Sequence, residues 1–219
     1  VLAAPGEDMP AHLMADLFYW DDVAAMGQID DLHELARRHN IKFAEDVTVD
    51  EAALLVRMKA PAALEDLHTV YRAHGLLRKK KRFLSYYSKA ARLPAWRRPT
   101  QKTLDRFALD MDLWYVDRKK GHGTRVSLID KGDAAWFIVR HGETFKKENA
   151  LENGSPKLVF YRPEAYDVLI YYPQQGELAI YNDSDSTRER RAYCTYLGMR
   201  VFADPNFFEL EDARKFTLA

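Results

Sequence analysis

Tyr166-Asp167-Val168-Leu169-Ile170-Tyr171-Tyr172 is the stretch that decides the fold. It is apolar at every position but one, where a strand with one wet face would alternate. Such a run is expected to be a central strand covered on both faces. Working outward, Pro173-Gln174-Gln175-Gly176 separates it from Glu177 to Tyr181, and Asp130-Lys131-Gly132-Asp133 separates Thr124–Ile129 from Ala134–Arg140. Both separators are hairpin connections by composition, which favours antiparallel pairing. Lys119-Lys120-Gly121-His122-Gly123 reads as a third, after a strand at Leu113–Val116, and Lys157–Tyr161 reads as one strand more.

A covering layer follows from the residues after the sheet. Ser186-Thr187-Arg188-Glu189 has the form of a capping box, and Ala192, Tyr193, Tyr196 and Leu197 supply an apolar face behind it. That helix is expected to end at Gly198. The aromatic tail, Met199 to Phe208, is expected to pack back on the sheet.

The first half has a helical period instead. Leu13, Leu17, Trp20 and Val23, then Ile29, Leu32, Leu35 and Ala36, recur at helix spacing. Thr48-Val49-Asp50-Glu51 is a capping box, placing a helix from Thr48 to about Lys59. Pro61 suits the first turn of the next, with Leu64, Leu67, His68 and Tyr71 on one face. Thr100 caps a further helix holding Leu104, Phe107 and Ala108. The fold class expected is therefore α+β: a helical N-terminal half over residues 1–112, then a mainly antiparallel sheet of five or six strands over 113–219, covered by a C-terminal helix. The two parts form either two domains or one continuous body.

Composition bounds the function classes. With 219 residues and 47% hydrophobic side chains the chain can bury a real core. One cysteine, Cys194, cannot form an internal disulfide, so a reducing and hence cytoplasmic setting is the economical expectation. No apolar run approaches the roughly twenty residues that span a bilayer. The chain starts at Val1 instead of Met, which is read as processing or as a piece of a longer protein.

The net charge of zero hides an uneven distribution. Residues 1–71 carry 5 Lys and Arg against 14 Asp and Glu, residues 72–125 carry 16 against 4, and the remainder 12 against 15. The basic block contains Arg78, Lys79, Lys80, Lys81 and Arg82, then Phe83, Tyr86, Tyr87, Lys89, Arg92, Trp96, Arg97 and Arg98. Cations neutralise phosphates and flat rings stack on unpaired bases, so DNA or RNA is the partner this mixture suits. The same composition also fits a basic face that binds a protein, or one with its rings turned inward. Of the set, Arg78, Lys79, Lys80, Lys81, Arg82, Tyr86, Lys89, Arg92, Arg97 and Arg98 are the candidate contacts.

Ile138-Val139-Arg140-His141-Gly142-Glu143-Thr144 resembles the signature of the histidine phosphatase superfamily. Arg140 and His141 match that motif position by position, and Asn149 follows more loosely. The resemblance implies a phosphorylated His141 clamped by Arg140 and by a second histidine from later in the chain. No histidine follows His141, and the 78 residues after it are too few for the family's alternation of helices and strands. The competing reading is a buried strand, Ala134 to Arg140, with His141-Gly142 as its exit turn.

Other chemistry is weaker still. A metal-dependent nuclease would set Asp167 and Glu177 on neighbouring strands around one ion, but Glu177-Leu178-Ala179 lacks the usual lysine. His33 and His39, like His68 and His74, are six apart and so lie on opposite sides of a helix; no His-Glu-x-x-His or paired-cysteine motif occurs. No metal or cofactor is expected. The function expected is a non-catalytic binding or regulatory protein, with nucleic acid as the partner to test, ahead of a nuclease, a phosphohydrolase or a protein-interaction module.

Overall fold

The computed structural model describes residues 10–79, 82–152, 154–182, 186–210 and 214–217. The chain divides into two compact units, residues 1–74 and 75–219. Among the described residues, no helix is long and apolar enough to cross a membrane.

The first unit is helical: α1 (Ala11–Met26), α2 (Ile29–Arg38), α3 (Val49–Lys59) and most of α4 (Pro61–Lys79). Its core is Val23, Leu32, Ala52, Ala53, Val56 and Leu64, one apolar stripe from each helix. The box at the start of α3 forms as its sequence dictates. Thr48 Oγ1 accepts from Glu51 N at 3.3 Å, and Glu51 Oε2 accepts from Thr48 N at 3.0 Å. Trp20 Nε1 donates to Asp50 O at 2.7 Å, tying α1 to the same turn.

The second unit is a six-stranded antiparallel sheet with two helices on one face. Its elements are β1 (Arg82–Tyr87), α5 (Gln101–Val116), β2 (Arg125–Asp130), β3 (Ala135–Gly142), β4 (Lys146–Glu152), β5 (Ser155–Tyr161), β6 (Glu164–Tyr172), β7 (Glu177–Tyr181), α6 (Thr187–Val201) and β8 (Arg214–Thr217). The strand order is β2-β3-β6-β7-β1-β8, and β4 with β5 forms a separate two-stranded sheet. Register puts Phe137 opposite Leu169, Leu169 opposite Ile180, and Ile180 opposite Leu84. These residues line the face that α5 and α6 cover, with Leu104, Phe107, Met111, Tyr115, Tyr193 and Leu197 above them.

The α+β architecture and the central, doubly buried β6 are therefore as the sequence indicates: Tyr166 to Tyr171 are all buried. The aromatic tail also packs back, with Phe207 and Phe208 in the core and Ser88 bridged to Phe208. Several local readings are corrected. Leu113–Val116 is the last turn of α5 and not a strand. Tyr115 continues the buried stripe of Leu104, Phe107, Ala108 and Met111 at helical spacing, while Leu113 faces solvent. Consequently Lys119–Gly123 joins a helix to a strand and closes no hairpin. Arg82–Tyr87, inside the half read as helical, is strand β1, held between β7 and β8. His141 and Gly142 belong to β3, and no strand was foreseen at β4. Gly198 does not end α6, which runs to Val201. Its missing side chain answers a different need, since a Cβ there would lie 2.6 Å from Asp204 O.

Candidate functional site

At one end of the sheet the helix-covered face turns from apolar to charged. Side chains alternate along a strand, so the inward series Ala135, Phe137, Val139 of β3 continues into His141, and the inward series Tyr171, Leu169 of β6 continues into Asp167. Val139 pairs with Asp167 and His141 with Ala165, which makes His141 and Asp167 diagonal neighbours. From above, α5 contributes Tyr115 in its last turn. The first turns of α6 contribute Glu189 and Tyr193, four apart and thus on one face. Lys120 lies four residues beyond the end of α5.

These groups are mutually bonded. Tyr193 donates its hydroxyl hydrogen to Asp167 Oδ2 at 2.6 Å, and the Tyr115 hydroxyl is hydrogen-bonded to that of Tyr193. Because Tyr193 spends its one hydrogen on the carboxylate, Tyr115 is the donor of the second bond. Lys120 Nζ lies 3.0 Å from Glu189 Oε1 and 3.0 Å from Glu143 Oε1. The His141 ring stacks on Tyr115, centroids 4.3 Å apart and planes 17° from parallel. Close approach of Lys120 depends on Gly142, whose Cβ would meet Lys120 O at 2.7 Å.

Burial makes the electrostatics strong. His141 and Asp167 are each 3% exposed and Glu189 is 1% exposed. Desolvation, then the Asp167 charge, pushes the hydroxyls of Tyr115 and Tyr193 well above the usual phenol range, so both stay neutral donors. For Lys120, burial favours the neutral amine, but Glu189 and Glu143 outweigh it and raise its pKa. Burial also opposes a charged His141, but the Asp167 carboxylate 3.3 Å away reverses the outcome, so its pKa is raised.

The proton arrangement on His141 is the informative detail. Its Nδ1 is 3.0 Å from Gly142 O, a carbonyl that can only accept, so Nδ1 carries a hydrogen. Nε2 is 3.3 Å from Asp167 Oδ2 but has no hydrogen-bond partner of acceptable geometry. In the neutral ring two lone-pair atoms would then face each other in a dry site, a conflict relieved either by a proton on Nε2 or by a metal ion between the two atoms. Donor atoms of His141, Asp167 and Glu189 all lie within 4.8 Å of one another, the spacing of a possible metal-ion site.

The residues singled out by sequence fall elsewhere in part. Arg140 and His141 point to opposite faces of β3, and Arg140 Nε pairs instead with Glu164 Oε1 at 3.4 Å. The clamp of the phosphatase motif is therefore not assembled. Asp167 and Glu177 are not brought together either: Glu177 sits opposite Tyr172 at the far end of the β6–β7 hairpin and accepts from Ser85. Cys194 is buried in the core, and desolvation raises its thiol pKa far above the usual range, the opposite of an activated nucleophile.

In the basic segment, Arg78, Lys89, Arg92, Arg97 and Arg98 are exposed. Lys80 and Lys81, with the side chains of Lys79 and Arg82, lie outside the described residues. Tyr86 is 1% exposed and belongs to the core beneath α6, so it is removed from the candidate contacts. Trp96 is half-buried and packs at 5.3 Å on the Tyr171 ring. Strand alternation turns Leu84 and Tyr86 inward, an orientation invisible in a run read as helix.

Sequence reasoning found His141 and Asp167 separately, each for another mechanism, and missed Glu189, Lys120, Tyr115 and Tyr193. The only local signal was Glu189, read as the capping partner of Ser186. Ser186 does accept from Glu189 N at 3.3 Å, but the Glu189 carboxylate is drawn to Lys120. No protein-family model matches the chain, and no curated protein matches it.

Proposed function

We propose that this protein is a non-catalytic binding protein that holds a nucleic-acid backbone on its exposed basic segment. The supporting observation is the segment between β1 and α5. Lys89, Arg92, Arg97 and Arg98 are all exposed there, and Arg92 and Arg97 form no salt bridge among the described residues. Their charge is available to phosphates. Lys89 is partly engaged by Glu209 at 3.4 Å, and Arg98 donates to Leu128 O at 3.3 Å. With Tyr86 buried and Trp96 packed on the core, stacking on bases contributes little. Binding is then electrostatic and indifferent to sequence, made by counterion release.

The test is a salt titration against labelled single- and double-stranded DNA and RNA. Arg92→Glu with Arg97→Glu is expected to weaken binding and flatten the log–log salt slope by about 1.4 for single strands, two contacts at roughly 0.7 each. Reversal of Lys79 to Arg82 forms a separate arm. Absence of binding at low salt, or an unchanged slope in both folded variants, would overturn the proposal.

A further inference from the structure

The cluster at the end of β3 and β6 gathers three carboxylates around one lysine and one histidine. Asp167 and Glu189 are two buried carboxylates, Glu143 stands beside them, and Lys120 is ion-paired with Glu189 and Glu143. The remaining donor, His141 Nε2, is buried, lacks a hydrogen-bonded partner and is directed at Asp167. We propose that His141, Asp167 and Glu189 bind a divalent transition-metal ion, and that the ion clamps β3, β6 and α6 together.

Three features of the geometry fit an ion. Metal–nitrogen and metal–oxygen bonds of about 2.0–2.2 Å put neighbouring donors roughly 3 to 3.5 Å apart. His141 Nε2 and Asp167 Oδ2 are 3.3 Å apart. The His141 ring already has the tautomer and the outer bond of a metal ligand, since Nδ1–H donates to Gly142 O and leaves the Nε2 lone pair inward. Asp167 is likewise held in place, its Oδ2 accepting from the Tyr193 hydroxyl, which is bonded in turn to that of Tyr115.

Chemistry narrows the ion. One imidazole nitrogen with two carboxylates suits zinc, manganese or ferrous iron, and the absence of thiolate among these three argues against a soft-metal site. Glu189 has a second carboxylate oxygen besides the one Lys120 holds, so binding need not expel the ammonium group. With all three ligands at most 3% exposed, the ion is shielded from bulk solvent, and its remaining coordination position falls to a second carboxylate oxygen or a buried water. This inference is independent of the nucleic-acid reading.

The experiment uses the whole chain, freed of any affinity tag and stripped with a chelator, then titrated calorimetrically with Zn2+ and Co2+. The expected result is about one ion per chain, a rise in Tm of roughly 5 °C at saturating metal, and visible Co2+ absorption of a nitrogen–oxygen site. Glu189→Gln and His141→Gln are expected to abolish uptake and the Tm rise, while the surface variant His122→Ala retains both. Should the two ligand variants fail to fold, imidazole nitrogen NMR of the wild type decides. Zn2+ must shift Nε2 of one ring whose Nδ1 stays protonated. Failure of the stripped wild type to take up metal, or uptake that persists in either folded ligand variant, would overturn the proposal and leave Lys120 as the cluster's resident cation.

Discussion

Tyr193 on α6 and Asp167 on β6 are joined by a 2.6 Å hydrogen bond in which both partners are buried, and the bond ties helix to sheet where the core turns polar. Asp167 would otherwise be a carboxylate in a dry environment facing only an imidazole. The bond therefore holds the charge in place and sets the direction of its free oxygen lone pairs.

Removing the hydroxyl tests that dependence. Tyr193→Phe keeps the ring in the core but strips Asp167 of its donor. Loss of a buried bond to a charged group costs on the order of 1–3 kcal/mol. Urea unfolding is expected to show a lower midpoint with unchanged slope. A midpoint equal to the wild type would mean that the bond contributes nothing net.

Gly198 offers a test in which two effects oppose each other. Alanine is favoured over glycine inside a helix by roughly 1 kcal/mol. At Gly198 the added Cβ would meet the backbone oxygen of Asp204 at 2.6 Å and Phe207 Cβ at 3.3 Å, and backbone yields little. Overpacking costs typically about 1–3 kcal/mol, so Gly198→Ala is expected to destabilise on balance. Thermal unfolding of the variant measures the sign directly.

The β4–β5 hairpin is expected to be dispensable for the fold of the sheet. It forms its own two-stranded sheet, every residue of β5 is exposed, and Leu151 and Phe160 are 75% and 61% exposed. At its base Gly142 is already paired with Glu164, so a short turn can join β3 to β6. Replacing residues 146–161 by a Gly-Ser turn should leave the circular dichroism of the remainder and its Tm near the wild-type values. Loss of cooperative unfolding would show that the hairpin carries part of the core.

Asp112 predicts an acid limb of stability. Its Oδ1 accepts from Gly123 N and Thr124 N, each at 2.8 Å, and Oδ2 lies 3.1 Å from His122 Nδ1. Burial opposes the charged form, but these hydrogen bonds prevail and hold its pKa below the ordinary 3.8. A depressed carboxylate pKa gives stability that is complete above the unfolded value and is lost as pH falls through the folded one. Asp112→Ala is therefore expected to lower stability at neutral pH and to converge on the wild type at pH values below both pKa values. Parallel pH–stability curves for the two proteins would contradict this.

Local chemistry was legible in the residues because its causes lie within a few positions. Thr48 and Ser186 start helices through their own side chains. Asp130–Asp133 and Pro173–Gly176 turn the chain through glycine at φ 83° and 63°, and the apolar run of β6 announces burial on both faces. Those features fixed the fold class. Leu113–Val116 misled because four apolar residues look alike in strand and helix, and only the stripe through Phe107 and Met111 shows which residue is inward. The hairpin strand β4 carries little apolar signal. The polar cluster was beyond local reading altogether. Its members at 115, 120, 141, 167, 189 and 193 come from two strands, two helices and a turn, and sheet register with helix docking alone places them within bonding distance. Sequence thus determined which elements exist, through short-range capping, turn geometry and periodicity. Tertiary structure decided which charges share a dry space, because burial and cross-strand register are properties of the packed chain.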